Sequence, residues 1–229
     1  MKFSDMKTLA SVPAAISSAK ATDMSRRALM LGIPLFVAGC GISPDGFMFS
    51  GGDYGGINDG GHVIPPLDFG VIDRDKLRTA VAWSGKEKPG SVVVKIPERH
   101  LYLVMEGGRA LRYSVGVGRS EGMNFRGTAT IGRKEKWPHW TPTASMIAHI
   151  PRYRAYSGGM EGGIENPLGA RALYLYRGGT DTYFRLHGTT EPETIGSAVS
   201  SGCIRLFNQD IIDLYNRVPL GATVTVIQG

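Results

Sequence analysis

A histidine and a cysteine, His187 and Cys203, stand sixteen residues apart in the second half of this 229-residue chain. The segment reads His187-Gly-Thr-Thr-Glu-Pro-Glu-Thr-Ile-Gly-Ser-Ala-Val-Ser-Ser-Gly-Cys-Ile-Arg-Leu206. A cysteine attacks as its thiolate, and a neighbouring imidazole supplies that form by taking the proton. Gly202, just before the cysteine, lets the backbone come close to a reacting carbonyl and aim amides at the oxygen that becomes charged. One such pair, taken alone, leaves two readings open: a nucleophile beside its base, or a buried structural cysteine and a surface histidine. The other histidines (His62, His100, His139 and His149) show no metal-ligand spacing with a carboxylate or cysteine, so no metal or other cofactor is expected.

Strands must position this pair. Ser91-Val-Val-Val-Lys-Ile96 and Leu101-Tyr-Leu-Val-Met105 are strand-like runs, and Gly107-Gly108 gives a hairpin signal before Ala110 to Val117, which alternates with period two. Ala172 to Tyr176, Tyr183 to Leu186 and Thr223 to Ile227 continue the pattern, and His187 ends the second of these runs. One helix is legible: Asn208 suits an N-cap, Asp210 the first turn, and Ile211, Ile212, Tyr215 and Val218 share a face until Pro219 and Gly221 stop it. The chain therefore reads as mainly β with one α-helix in its C-terminal half. Between Trp137 and Gly169 lies a long irregular insertion. Loops of that length in compact domains are usually functional or disordered, and its aromatic content argues against disorder.

The formal charge of +6 suggests a polyanion partner until the N-terminus is set aside. Residues 1–39 hold five basic and two acidic groups, which leaves +3 from residue 40 onward. No block of like charge and no basic stripe with interleaved aromatics is present, so nucleic acid is not an expected partner. Behind Arg26-Arg27 comes an uncharged run from Ala28 to Gly39, too short for a stable span, which needs about 20 apolar residues. It reads as an export signal over residues 1–39, with Ser25-Arg26-Arg27 loosely resembling a twin-arginine signal and Met24 an alternative start. Val37-Ala-Gly-Cys40 resembles a lipobox, in which Cys40 becomes the lipidated first residue; an ordinary cleaved signal is the alternative. Cys40 and Cys203 are the only cysteines, so they either pair in a disulfide or, with Cys40 lipidated, leave Cys203 a lone thiol. Glycine is 32 of 229 residues. Six of them fall within residues 51–61, so residues 40–61 read as a flexible tether. Residues 62–90 read as an extended lead-in with a helix-compatible stretch from Asp73 to Trp83, ahead of a domain over residues 91–229.

The His–Cys segment resembles the catalytic signature of the L,D-transpeptidase (YkuD-type) family: His-Gly-Thr, a spacer with Ile-Gly, then Ser-x-Gly-Cys-Ile/Val-Arg. His187-Gly-Thr189, Ile195-Gly196 and Ser200-Ser-Gly-Cys-Ile-Arg205 all match. Arg99 to Gly108 resembles the family's opening hairpin and Tyr113 to Gly118 its third strand. Gly127 to Ile131 and Asn166 to Gly169 resemble its central loops, and Asn208 to Tyr215 the helix after the nucleophile. The likeness covers roughly residues 90–229. It implies a mixed β-sandwich or barrel-like fold and a two-step acyl transfer on peptidoglycan stem peptides.

On that resemblance, Cys203 would be the nucleophile and His187 the general base and acid. The carbonyl of Gly188 would orient the imidazole, and the amides around Ser201, Gly202 and Cys203 would hold the oxyanion. Arg205 and Arg185 are candidates for a stem carboxylate, and Trp140 and Tyr156, with Trp137, His139 and Tyr153, for a lid over the peptide. The acceptor stays open: a second stem's amine, an amine on an outer-membrane protein, or water. A periplasmic, lipid-anchored enzyme is the leading expectation, and a non-catalytic wall-binding tether or a general thiol peptidase are the alternatives. The chain departs from the family at Ser201, where relatives often carry histidine. His187 is therefore expected to be the sole base, and Cys203 to be held as a thiolate well below the ordinary thiol range.

Overall fold

The structure is a computed structural model that describes residues 51–228. The expected export signal, Cys40 and the first part of the Gly-rich stretch lie outside the described residues. From residue 51 onward the chain is built rather than loose, which corrects the reading of a tether running to residue 61. A 3₁₀ turn at Gly51–Tyr54 leads into an antiparallel hairpin of β1 (Ile57–Asp59) and β2 (His62–Ile64). Its loop is Gly60-Gly61, with φ of +63° and +89°. Positive φ at both central positions is what a type I′ hairpin turn demands, and glycine meets it without steric cost. These glycines are turn chemistry, not slack.

Tyr54 is buried, and its hydroxyl donates to Asp210 Oδ1 (2.7 Å) while accepting from the Arg78 amide (2.6 Å). Arg78 also reaches Asp53 at 2.9 Å, Asp210 at 3.3 Å and Asp213 at 3.5 Å. Burial pushes the Asp210 carboxyl up to about 7, against the Tyr54 hydrogen bond and the Arg78 charge, which pull it down. This cluster explains a second difference from the sequence reading. The Asp73–Trp83 stretch forms only a 3₁₀ turn at Arg74–Lys76, and Leu77 is already extended (φ −71°, ψ 153°). With Arg78 drawn to the acidic cluster, the residues after it run on as β3 (Thr79–Ala82).

The strands that follow are β4 (Val92–Lys95), β5 (His100–Met105), β6 (Arg109–Ser114), β7 (Val117–Gly118) and β8 (Gly127–Lys136). Then come β9 (Arg171–Arg177), β10 (Thr180–His187), β11 (Ala198–Ser200), β12 (Ile204–Arg205) and β13 (Thr223–Ile227). Eight of them join β3 in one nine-stranded mixed sheet, in the order β12-β10-β9-β8-β13-β4-β5-β6-β3, while β7 and β11 pair separately. Within it β10–β12 and β13–β4 run parallel and the rest antiparallel. Gly127–Ile131, which the sequence likens to a loop, begins β8, a ten-residue strand at the middle of the sheet. Alternate residues point to one core: Val92 and Val94, Leu101 and Leu103, Leu111 and Tyr113, Leu173 and Leu175, and Val224 and Val226. Because residues from both ends of the sheet meet in one cluster, the sheet curves around its own apolar face.

Two α-helices occur among the described residues, one more than the sequence reading: α1 (Ala144–His149) within the long insertion and α2 (Asn208–Arg217) after the β12 strand. Thr143 caps α1 by accepting from the Met146 amide (3.1 Å). Ile211, Leu214 and, just past its end, Val218 bury α2 against the core. Asn208 is not the N-cap but the first helical residue. Its amide is used elsewhere, accepting from the Ala170 amide (3.0 Å) and donating to the Thr189 carbonyl (2.9 Å). Neither helix is long and apolar enough to cross a membrane.

Candidate active site

Register alone places the chemical residues together. β10 and β12 run parallel, with Leu186 opposite Ile204 and His187 opposite Arg205. Side chains alternate across a sheet, so Leu186, Ile204 and Leu206 turn to the core, where all three are buried. The opposite face of the same sheet edge therefore carries Arg185 and His187 from β10, beside Cys203 and Arg205 from the β12 segment. Cys203 is half-buried, and it is the free cysteine among the described residues.

His187 is 5% exposed, and its Nδ1 lies 2.7 Å from the Gly188 carbonyl oxygen. A carbonyl only accepts, so Nδ1 carries the proton and Nε2 keeps its lone pair. Burial holds the imidazole pKa down at about 3, helped by the charges of Arg205 and Arg185 and opposed by the Gly188 and Leu168 carbonyls. Burial also pushes the Cys203 thiol up, while the Arg185 amide and the Arg185 and Arg205 charges pull it down. Both shifts favour the neutral form of each group, a thiol at Cys203 and an imidazole at His187. Burial thus disfavours both charged forms, which runs against the expected preformed thiolate.

The turn before Cys203 is tied by a side chain the sequence reading left in the background. Ser200 Oγ donates to the Cys203 carbonyl (2.7 Å) and accepts from the Gly202 amide (3.0 Å). The Gly202 amide is thus occupied, which removes it from the expected oxyanion donors. Gly202 itself is required by space and conformation. Its φ is +124°, and a Cβ there would lie 2.3 Å from the Met123 carbonyl oxygen. Ser201 is exposed.

The expected substrate-binding residues divide. Arg185 turns away to Asp181, in a bidentate pair at 2.8 and 3.0 Å, and its guanidinium stacks on Tyr174. Arg205 pairs with Glu191 at 2.8 Å on the wall of a cavity of about 280 Å³. Trp140, Arg152, Tyr153, Tyr156 and Glu165 line the same cavity. Trp140 is buried, with Tyr153 edge-on at 5.1 Å and Tyr156 at 6.2 Å. Its backbone pairs with Met160, and Asn166 Nδ2 donates to the carbonyls of Pro138, Met160 and Glu161, so the base of the insertion is fastened. Trp137 does not join this wall. Its Nε1 donates to Asp59 Oδ2 (2.8 Å), and its ring stacks on His62.

A family model described as the YkuD L,D-transpeptidase catalytic domain matches residues 89–227. The chain belongs to that family. Over 145 residues it is 37% identical to the "Probable L,D-transpeptidase YcfS" of Escherichia coli K12, a match covering 59% of this chain and 43% of that one. It is 34% identical over 142 residues to the "Probable L,D-transpeptidase YbiS" of the same strain, covering 59% and 44%. The chain thus spans less than half the length of these two curated relatives. A solved structure from Brucella melitensis, described as a "Probable carnitine operon oxidoreductase caia", is 47% identical and covers 68% of this chain and 96% of its own, with a TM-score of 0.47. L,D-transpeptidase 3 of Mycobacterium tuberculosis is 17% identical, covering 60% of each chain, with a TM-score of 0.45. Within the L,D-transpeptidase family's matched region fall His187, Cys203 and Arg205, whereas the β1–β2 hairpin lies ahead of it.

Proposed function

We propose that this protein is a peptidoglycan L,D-transpeptidase. The observation that carries this reading is the His187 Nδ1–Gly188 contact of 2.7 Å, on the sheet face that also carries Cys203. It leaves Nε2 as the unprotonated ring nitrogen, the form that can take a thiol proton. In the first step Cys203 Sγ attacks the amide carbonyl after the third, diamino-acid residue of a tetrapeptide stem, and His187 Nε2 takes the thiol proton. The amides of Ser201 and Cys203 receive the oxyanion. Collapse breaks the C–N bond, and the imidazolium returns its proton to the departing D-alanine amine, leaving a thioester. In the second step an amine on another stem attacks the thioester, with His187 again taking the proton, and the thiol is restored. Arg205, paired with Glu191 at the cavity wall, and the Trp140–Tyr153–Tyr156 cluster are the proposed seat of the stem. Arg185, committed to Asp181, supports the nucleophile from beside it.

Purified protein incubated with disaccharide-tetrapeptide muropeptides is expected to form an enzyme adduct that has lost one D-alanine, then a cross-linked dimer of stems. Cys203→Ala is expected to form neither. Release of D-alanine with only a tripeptide product would make water the acceptor, and no adduct on wild-type protein with reduced Cys203 would overturn the reading.

The same proposal places the enzyme in the periplasm, exported by residues 1–39 and held to a membrane by a lipid on Cys40. Cys40→Ser is expected to release soluble protein or leave unprocessed precursor, read by fractionation and N-terminal mass. A mature N-terminus well downstream of residue 40 without lipid would rule the anchor out.

A further inference from the structure

The β1–β2 hairpin precedes the family-matched region, yet Asp59 at its turn pairs with a buried arginine of β9, the strand next to the one that ends in His187. Asp59 accepts two hydrogen bonds from Arg171, Oδ2 from Nη1 at 2.6 Å and Oδ1 from Nη2 at 2.8 Å. Arg171 is 2% exposed and opens β9, where Ala172 lies directly opposite His187. Its backbone carbonyl accepts from the Gly188 amide at 3.2 Å, and Gly188 offers the carbonyl that holds His187 Nδ1. The guanidinium also donates to the Ala170 carbonyl at 2.7 Å, which fixes the residues just after Leu168, the second carbonyl against the imidazole. Trp137 Nε1 donates to the same Asp59 carboxylate, with His62 stacked on the indole. A buried arginine needs such a partner. Without one its charge is uncompensated, and the strand end that carries it must move toward water.

We propose that Asp59 is a positioning residue for acyl transfer: it anchors Arg171, and through the Arg171–Gly188 backbone bond it fixes the tautomer and orientation of the His187 imidazole. Charge and geometry both favour this. The Arg171 hydrogen bonds hold the Asp59 carboxyl below the usual carboxylate range, opposed by burial, so the carboxylate persists into mildly acidic conditions. The hairpin presents Asp59 at the one place where a single carboxylate meets Arg171 and Trp137 together. The start of β9, which flanks the histidine strand, and Trp137, just past the end of β8, are thereby held by an element with no chemistry of its own. A group oriented by backbone carbonyls tolerates little displacement, and shifts of about 1 Å cost on the order of 10²-fold in comparable sites.

The inference rests on the acyl-transfer reading, but one of its tests does not require activity. The nitrogen chemical shifts of the His187 ring, read by NMR on ¹⁵N-histidine protein at neutral pH, report the tautomer without substrate. Wild type is expected to show Nδ1 protonated and Nε2 bare. Asp59→Ala is expected to show a mixture of tautomers and a maximal acylation rate down about ten- to a hundredfold, with half-saturating stem concentration within about threefold. Its acid limb should move up toward an ordinary histidine, with the Arg205 and Arg185 charges still acting on the ring. Asp59→Glu is expected to restore the single tautomer and most of the rate. Should Asp59→Ala fail to fold, Asp59→Asn, which keeps an acceptor for Trp137 but not the charge, carries the same expectation. A folded Asp59→Ala or Asp59→Asn protein with the wild-type ring signals would overturn the proposal, even if the rate falls. An inactive wild-type protein with the Nδ1–H signature would instead count against the acyl-transfer reading and leave the tautomer comparison standing.

Discussion

His187→Ala is expected to acylate Cys203 about 10²–10⁴-fold more slowly than wild type, the range a positioned general acid–base supplies. Ser201→Ala should stay within about tenfold, a barrier change of ~1.4 kcal/mol. The two substitutions separate the base proposed at His187 from the backbone role proposed at Ser201. The structure gives the two positions different surroundings. His187 is buried at the end of β10, its ring held by the Gly188 carbonyl, whereas Ser201 is exposed on the turn that Ser200 ties down. Alanine at 201 keeps the amide that the proposed oxyanion site uses. Single-turnover acylation, followed by the mass of the Cys203 adduct on folded protein, reads both. If Ser201→Ala is as slow as His187→Ala, the assignment of the base to His187 alone is wrong.

Much of this arrangement was legible before any coordinates. Apolar, strand-like runs marked β5, β6 and β13; β13 keeps one face in the core, whereas in β5 and β6 the second face is covered too, Tyr102, Val104 and Ala110 belonging to a second buried cluster. The His–Cys spacing and its flanking motif pointed to the site. What stayed hidden has physical reasons. β12 is two residues long, too short for any periodicity, yet its parallel pairing with β10 is what brings Cys203 and Arg205 to the His187 face. β8 alternates too, but Arg133, Lys134, Glu135 and Lys136 mask its second half. The Gly60-Gly61 turn was overlooked for a compositional reason: six glycines in eleven positions read as slack, although two adjacent glycines between short extended runs are also a hairpin signal. The role of Asp59 had no local sign at all, since its partner lies 112 residues away. Asn208 carried a sign with two meanings. A helix-start asparagine caps its own backbone or reaches to another segment, and here it bridges Ala170 and Thr189.

A thiol and an imidazole in the neutral forms that burial favours make two reactions of the same thiol respond differently to pH. Iodoacetamide consumes thiolate without help from a base. With the Cys203 thiol pushed above its ordinary range by burial, its alkylation should rise about tenfold per pH unit from pH 6 to 8, with no plateau below the ~8.5 of a free thiol. A preformed thiolate–imidazolium pair would instead give a plateau across that span. In the proposed acyl transfer His187 is the base, and burial holds its imidazole pKa down at about 3. The acylation rate should therefore hold nearly level from pH 7 to 5, where an ordinary histidine would already be charged. The same depression sets a stability trend. The unfolded imidazole takes up its proton near pH 6.5 and the folded one only near 3, so this contribution is intact above pH 6.5 and falls as the pH drops toward 3. Thermal unfolding between pH 7 and 4 would read it, with His187→Gln as the control that should flatten the trend. A level alkylation profile from pH 6 to 8 would sink the neutral-pair account, because only a thiolate held by imidazolium stays reactive there.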